Sequence, residues 1–247
     1  MKISITAASM TGCVRKNNED MILVDKKFIR NDIHCTMVDI DRMDRYIVAV
    51  ADGMGGHSCG EVASQVVLQN LSFFFNDLPT NLKPGDFNEA ICEWLNSINN
   101  IIASKGREES RFRGMGTTLV ALLNYNHQFY WMNCGDSRLY RLHDQQLKQL
   151  TTDHSLNNLV GIDEHSSILT NCIGGGCKTS YIDMMLCTAD VQPGDVFLLC
   201  SDGLTDMVKP DRLQQLMNEG ADATRLCNAA IDAGGYDNVS VALVKIL

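Results

Sequence analysis

Four aspartates in this sequence share a local grammar that can hold a cation. Tyr46-Ile47-Val48-Ala49-Val50-Ala51 reads as a buried strand ending in Asp52-Gly53, and Val196-Phe197-Leu198-Leu199-Cys200 ends in Ser201-Asp202-Gly203. Phe129 to Cys134 runs into Gly135-Asp136, whereas Asp237-Asn238 precedes the strand-like run Val239 to Val244. One Asp-Gly after a strand is a turn, because glycine supplies positive φ and aspartate bonds its own backbone. Four together are harder to explain that way. Carboxylates fixed at strand ends are held rigidly, and a neighbouring glycine lets a backbone carbonyl approach an ion. Oxygen-only donors that leave room for water suit Mg2+ or Mn2+ rather than Zn2+.

Near the start, Arg15-Lys16-Asn17-Asn18-Glu19-Asp20 places a guanidinium four residues ahead of an acid pair. A solvated charged loop is the plain reading. The sharper one is a phosphate-holding fork beside a metal-organising carboxylate, since arginine bonds phosphate oxygens bidentately.

Other chemistries find no support in the spacing. His34, His57, His127, His143, His154 and His165 show no metal-ligand interval and read as surface or satisfied core histidines. The ten cysteines include no Cys-x-x-Cys pair, and none has an arginine six positions later, so the thiol-phosphatase pattern is excluded. Cys35, Cys134, Cys187 and Cys200 border apolar runs, as buried reduced thiols do, which points to the cytoplasm.

The elements that must position these groups belong to one domain, residues 1–247. Apolar residues make up 45% and charged residues 21%, ordinary globular usage, and only 4 prolines are present to break the chain into parts. A formal charge of −9 without a basic run argues against nucleic acid and against an anionic membrane surface. No apolar run is long enough to span a bilayer. Strand-like runs fall at 2–8, 21–25, 33–40, 46–51, 117–124, 127–133, 137–142, 182–188, 195–200 and 239–246. Short turns such as Asn124 to His127 and Asp144 to Gln146 favour antiparallel hairpins. Helical periodicity covers about 58–76, 86–105, 211–219 and 222–233, the first opened by a Ser58/Glu61 capping box. Two early and two late helices around so many strands predict an α+β fold with antiparallel sheets and helices on the outer faces.

Six motifs in order carry a resemblance. They are Arg15-x-x-Asn18-Glu19-Asp20, Val50-Ala51-Asp52-Gly53-Met54-Gly55-Gly56, Gly114-Met115-Gly116-Thr117-Thr118, Asn133-Cys134-Gly135-Asp136-Ser137-Arg138, Leu199-Cys200-Ser201-Asp202-Gly203-Leu204 and Gly235-Tyr236-Asp237-Asn238-Val239-Ser240. From about residue 4 to 246 the chain resembles the metal-dependent serine/threonine phosphatases of the protein phosphatase 2C family, in their bacterial form. The resemblance implies two antiparallel β-sheets packed face to face with helices on both outer faces. It implies hydrolysis of phosphoserine and phosphothreonine in protein substrates of a serine/threonine kinase, by attack of a metal-bridging hydroxide without a phosphoenzyme. Asp52 would bridge two Mg2+ or Mn2+ ions, and the Gly53 carbonyl would bind one of them. Asp202 and Asp237 would complete the other shell, Glu19 would act through water, and Asp20 and Asn238 would support that edge. Arg15 would grip the phosphate, and Asp136 with Asp202 would form a third, weaker site. Two departures stand out: Met54 occupies a place where some members carry a proposed general-acid histidine, and the segment from Thr151–Ser155 to Asn171–Gly174 is shorter than the family's helical flap.

Two rival readings remain at the level of sequence. Cys35-Thr36-Met37-Val38-Asp39-Ile40-Asp41 mimics the nucleophile loop of haloacid dehalogenase-type phosphatases, with Ser201-Asp202 and Asp206 as a loose metal loop. A phosphoprotein-binding pseudophosphatase would share the fold without activity, although such proteins usually lose a metal aspartate and all four stand here.

Overall fold

The computed structural model describes residues 1–55, 59–161 and 168–247. One six-stranded sheet has the order β11 (Gln146–Gln149), β10 (Arg138–His143), β14 (Val196–Cys200), β15 (Val239–Ile246), β1 (Lys2–Met10) and β4 (Ile33–Asp39). The other runs β13 (Asp183–Leu186), β9 (Gln128–Cys134), β8 (Leu119–Tyr125), β5 (Arg45–Ala51), β2 (Met21–Val24) and β3 (Lys27–Ile29). A small third sheet joins β12 (Ile173–Gly174), β7 (Gly116–Thr117) and β6 (Gly53–Met54). Every strand pairing among the described residues is antiparallel. Asn126 and His127 at the β8–β9 turn, and Asp144 and Gln145 at the β10–β11 turn, have positive φ. Paired positive φ matches the right-handed twist of two-residue hairpins.

Alternation along the strands builds the layers. In β5, Tyr46, Val48 and Val50 face the opposite sheet, where they meet Ile3, Ile5, Phe197, Leu199 and Val244. The alternate residues Ile47, Ala49 and Ala51 turn outward onto α1 (Cys59–Asp77) and α2 (Pro84–Glu108), through Val67, Leu68, Leu71, Ile91 and Ile98. The first sheet repeats this on its own outer face. Leu198, Cys200, Val241 and Leu243 pack against α4 (Asp202–Thr205), α5 (Pro210–Asn218) and α6 (Ala223–Asp232). A two-residue side-chain period with apolar residues on both faces permits a strand only if both faces are covered, and here helices cover each outer face. The result is the αββα sandwich expected from the sequence.

Helix starts follow local chemistry. Pro84 and Pro210 occupy first-turn positions where no backbone donor is lost, and the Asp222 carboxylate accepts from Arg225 N at 2.8 Å as an N-cap. Of the expected Ser58/Glu61 capping box, Ser58 lies outside the described residues, and Glu61 accepts from Arg30 Nη1 at 3.0 Å. The short elements β3, β6, β7, β11, β12, α3 (Leu156–Val160) and α4 were not predicted, because two to five residues carry too little periodicity.

Two further expectations are corrected. Cys134, Cys187 and Cys200 are buried, but Cys35 is exposed, since β4 is an edge strand. The haloacid dehalogenase-type loop does not exist as such: its Asp39 pairs with Lys2 at the outer end of β1 and takes an ion pair from Arg42 at 3.2 Å. Asp41 holds the N-terminal amino group. The antiparallel sheets also remove the parallel βαβ setting that such a loop requires.

Candidate active site

All the acidic motifs meet at one end of the sandwich. Asp52 leaves β5 with its peptide pinned: its N–H donates to Thr118 Oγ1 at 3.0 Å, and its carbonyl accepts from Thr118 N at 2.9 Å and Thr117 Oγ1 at 2.8 Å. Thr118 Oγ1 also lies 2.7 Å from Ser137 Oγ, which ties the Asp52 strand end to the residue after Asp136. Gly53 must be glycine for reasons of space, since a Cβ there would collide with the Gly60 carbonyl and with that of Glu19. Helix α1 thereby runs directly beneath the Asp52-Gly53 step.

Asn238 assembles the opposite wall. Its Nδ2 donates to the carbonyls of Thr11 at 2.8 Å and Asn17 at 2.9 Å, while its Oδ1 accepts from Glu19 N at 2.8 Å. The loop carrying Arg15 and Glu19 is thus fastened beside Asp237. Asp20 is buried and accepts from Ser201 Oγ at 2.7 Å, and Ser201 Oγ in turn accepts from Ser240 N at 3.0 Å. Ser240 Oγ reaches Ser9 Oγ at 2.9 Å, and Asn18 Nδ2 donates to the same Ser9 Oγ at 2.9 Å. These hydroxyls and Asn18 hold the acids in place; Asn18, Ser201 and Ser240 stand within the six motifs without a role of their own there, and Ser9 lies outside them. Isolated serines in strands follow no pattern that would single them out.

The electrostatics are those of crowded like charges. Burial, then repulsion from Asp20, Asp202 and Asp136, lifts Asp52 well above the usual carboxylate range. Burial, relieved in part by the Ser201 hydroxyl, places Asp20 at about 7. Asp136 is likewise pushed up to about 7 by burial and by Asp202, and Asp202 to about 6 by burial, Asp206 and Asp237. Glu19 is raised by burial against the pull of Arg15. The cation that reaches into this group is Arg15, whose Nη2 donates to Asp237 Oδ2 at 2.6 Å and whose pKa is raised first by that bond. Four crowded carboxylates, Asp20 buried and Asp52, Asp136 and Asp202 half-buried, cannot all ionise together and fit a place for hard divalent cations.

Among the described residues, no three His, Cys, Asp or Glu side chains are by themselves arranged to hold an ion. Mg2+ takes one or two carboxylates and completes its shell with other oxygens and water, donors that the Gly53 carbonyl and these acids supply. His154 is buried among neighbours that account for it: Nδ1 faces Gly135 N at 3.1 Å and Asn171 Nδ2 at 2.8 Å, and Nε2 faces Asp183 Oδ2 at 3.0 Å. His57 and His165 lie outside the described residues. The shortened flap contains α3 and the Ser155–Leu169 bridge, with 162–167 also outside them.

Fold and site together define a class: an αββα sandwich whose strand ends deliver a half-buried, oxygen-only acidic cluster bonded by Arg15. The chain belongs to the protein phosphatase 2C family, whose sequence model matches residues 29–244. It is 32% identical over 252 residues to the serine/threonine protein phosphatase PstP of Mycobacterium tuberculosis, covering 98% of this chain and 44% of that protein. The chain therefore spans less than half the length of that relative. Protein phosphatase PhpP of Streptococcus pneumoniae is 32% identical over 222 residues, covering 84% of this chain and 88% of PhpP. A solved catalytic domain of PstP in complex with two manganese ions superposes with a TM-score of 0.75 at 30% identity, over 99% of both chains.

Proposed function

We propose that residues 1–247 form a single catalytic domain that hydrolyses phosphoserine and phosphothreonine esters of proteins with the help of divalent cations. The observation that carries this reading is the crowding of Asp20, Asp52, Asp136 and Asp202 in a largely desolvated group with too little positive charge to balance it. Asp52, the Gly53 carbonyl, Asp202, Asp237 and Glu19 would hold two ions, and Asp136 with Asp202 a third, weaker one. Bound there, Mg2+ or Mn2+ would lower the pKa of a coordinated water and neutralise phosphoryl oxygens. Arg15 would bind the phosphate: one N–H of its fork is engaged by Asp237, which orients the guanidinium and leaves the other donors for oxygen ligands. Asn238 and the Ser201–Asp20 bond keep the carboxylates at fixed separation, so little reorganisation accompanies the reaction.

The binding-only alternative needs a missing cation-holding aspartate, and Asp52, Asp136, Asp202 and Asp237 are all present. The substrates are phosphoproteins made by a serine/threonine kinase, and the setting is the cytoplasm; among the described residues no helix is long and apolar enough to cross a membrane. Turnover of p-nitrophenyl phosphate tests the reading. Activity should vanish in EDTA, return with Mn2+ or Mg2+ and survive thiol alkylation, whereas full activity in excess chelator would overturn it.

A further inference from the structure

A cavity of about 430 Å3 opens between the end of α2, the turn Phe112–Met115 and the loop Gly174–Lys178. Three exposed cations line it: Arg107, Arg113 and Lys178, each from a different segment. Among the described residues none of the three has a carboxylate partner, and Arg107 bonds only Ser104 Oγ, at 2.7 Å. Elsewhere the arginines at 15, 30, 111, 138, 141 and 225 are each matched to an acid. Arg45 bonds the Phe75 and Asn76 carbonyls instead, and an unpaired lysine is ordinary in this chain. The distinguishing feature is therefore two exposed arginines without an acid meeting Lys178 across one cavity at a net charge of −9. Cations near a helix C-terminus answer its dipole, which accounts for Arg107 but not for Arg113 or Lys178, which are off the helix.

The wall of this cavity is built and is tied to the acidic cluster. Buried Asn99 accepts from Gly174 N at 2.7 Å, and Gly175 N donates to the Met115 carbonyl at 2.8 Å. In the small sheet Gly174 pairs with Gly116, Gly116 with Met54, and Thr117 with Gly53, the residue after Asp52. Neighbouring strands lie about 4.8 Å apart, so the wall stands roughly 10 Å from the strand of Gly53. An extended peptide covers that span in about three residues.

We propose that this cavity binds a second phosphate on the same substrate segment, about three residues from the phosphate being hydrolysed. The proposal rests on the phosphatase reading above. A phosphate monoester carries nearly two charges and three strong acceptors, which two arginine forks and a lysine match better than they match a single carboxylate. Such a subsite also offsets the repulsion that a net acidic protein exerts on an acidic substrate.

The test compares three synthetic peptides: one phosphoserine alone, the same peptide with a second phosphoserine three residues away, and one with glutamate at that position. With Mn2+, the doubly phosphorylated peptide should show a KM roughly tenfold lower than the single one, beyond the twofold that two reactive groups would give. The Arg107→Ala/Arg113→Ala double variant should lose that gain while its turnover of p-nitrophenyl phosphate stays unchanged. Equal KM values, or a gain that persists in the variant, would overturn the subsite. A glutamate peptide as good as the doubly phosphorylated one would overturn the assignment to phosphate. If neither the peptides nor p-nitrophenyl phosphate are hydrolysed, the phosphatase reading is what fails. Fluorescence anisotropy of the labelled peptides then decides the subsite, since arginine-dependent preference for two phosphates upholds it and no preference ends it.

Discussion

The two ends of β14 treat a carboxylate in opposite ways. Before the strand, Asp195 is 1% exposed and fully answered. Its oxygens meet Arg141 Nη2 at 2.8 Å, His143 Nδ1 at 2.7 Å and Gln192 N at 2.9 Å. After the strand, Asp202 faces Asp52, Asp136, Asp237 and Asp20, where Arg15 bonds Asp237 and Arg138 acts on Asp136 from a distance, too little to balance the group. The same residue type is structural at one end and chemical at the other. Asp195 is fully buried and Asp202 half-buried, but what sets their characters apart is the presence or absence of matched positive charge. A folded chain that leaves several crowded acids unbalanced keeps a stability cost that a bound cation, or at low pH a proton, removes.

Substitutions at the two ends should therefore have opposite effects. Asp52→Asn is expected to lower kcat by at least about a thousandfold, near 4 kcal/mol, with Mn2+ binding by calorimetry severely weakened. The metal-free variant should melt at or above the wild-type temperature, because a repelling charge has been removed. Asp195→Ala should do the reverse: it strands Arg141 and costs about 3 kcal/mol in urea unfolding, while kcat per folded molecule holds. An Asp195→Ala protein that is stable but inactive would erase the distinction. A smaller effect is expected at the rim, where Arg15→Ala should raise KM about tenfold and keep its metal affinity, since phosphate binding is common to ground and transition states. Loss of Mn2+ binding in Arg15→Ala would move that residue into the ion-holding set.

Much of this contrast was legible in the sequence, but unevenly. Asp52, Asp136 and Asp202 announced themselves because a buried apolar strand must end somewhere, and an acid beside a glycine marks the end. Two-faced burial in β5 and β14 also made the covered sandwich readable. The pairings that decide each acid's character were hidden. Arg15 meets Asp237 across 222 positions and Ser201 meets Asp20 across 181, distances over which no local pattern operates. The small sheet that carries Gly53 consists of two-residue strands, too short for periodicity to register. Cys35 was misread because an apolar run does not tell an edge strand from a central one.

Thermal unfolding against pH, with and without Mn2+, tests the central claim most directly. Asp20 and Asp136 at about 7 and Asp202 at about 6 hold protons more tightly folded than unfolded, where carboxylates titrate near 4. Folding then takes up protons between about pH 4 and 7, so metal-free stability must fall as pH rises through that window. The metal-free protein should melt higher at pH 5 than at pH 8, with a shallower slope in Asp52→Asn, and Mn2+ should raise the pH 8 value most because its ligands are deprotonated there. A metal-free melting temperature indifferent to pH across this range, and unmoved by Mn2+ at pH 8, would contradict a cation site built from crowded carboxylates.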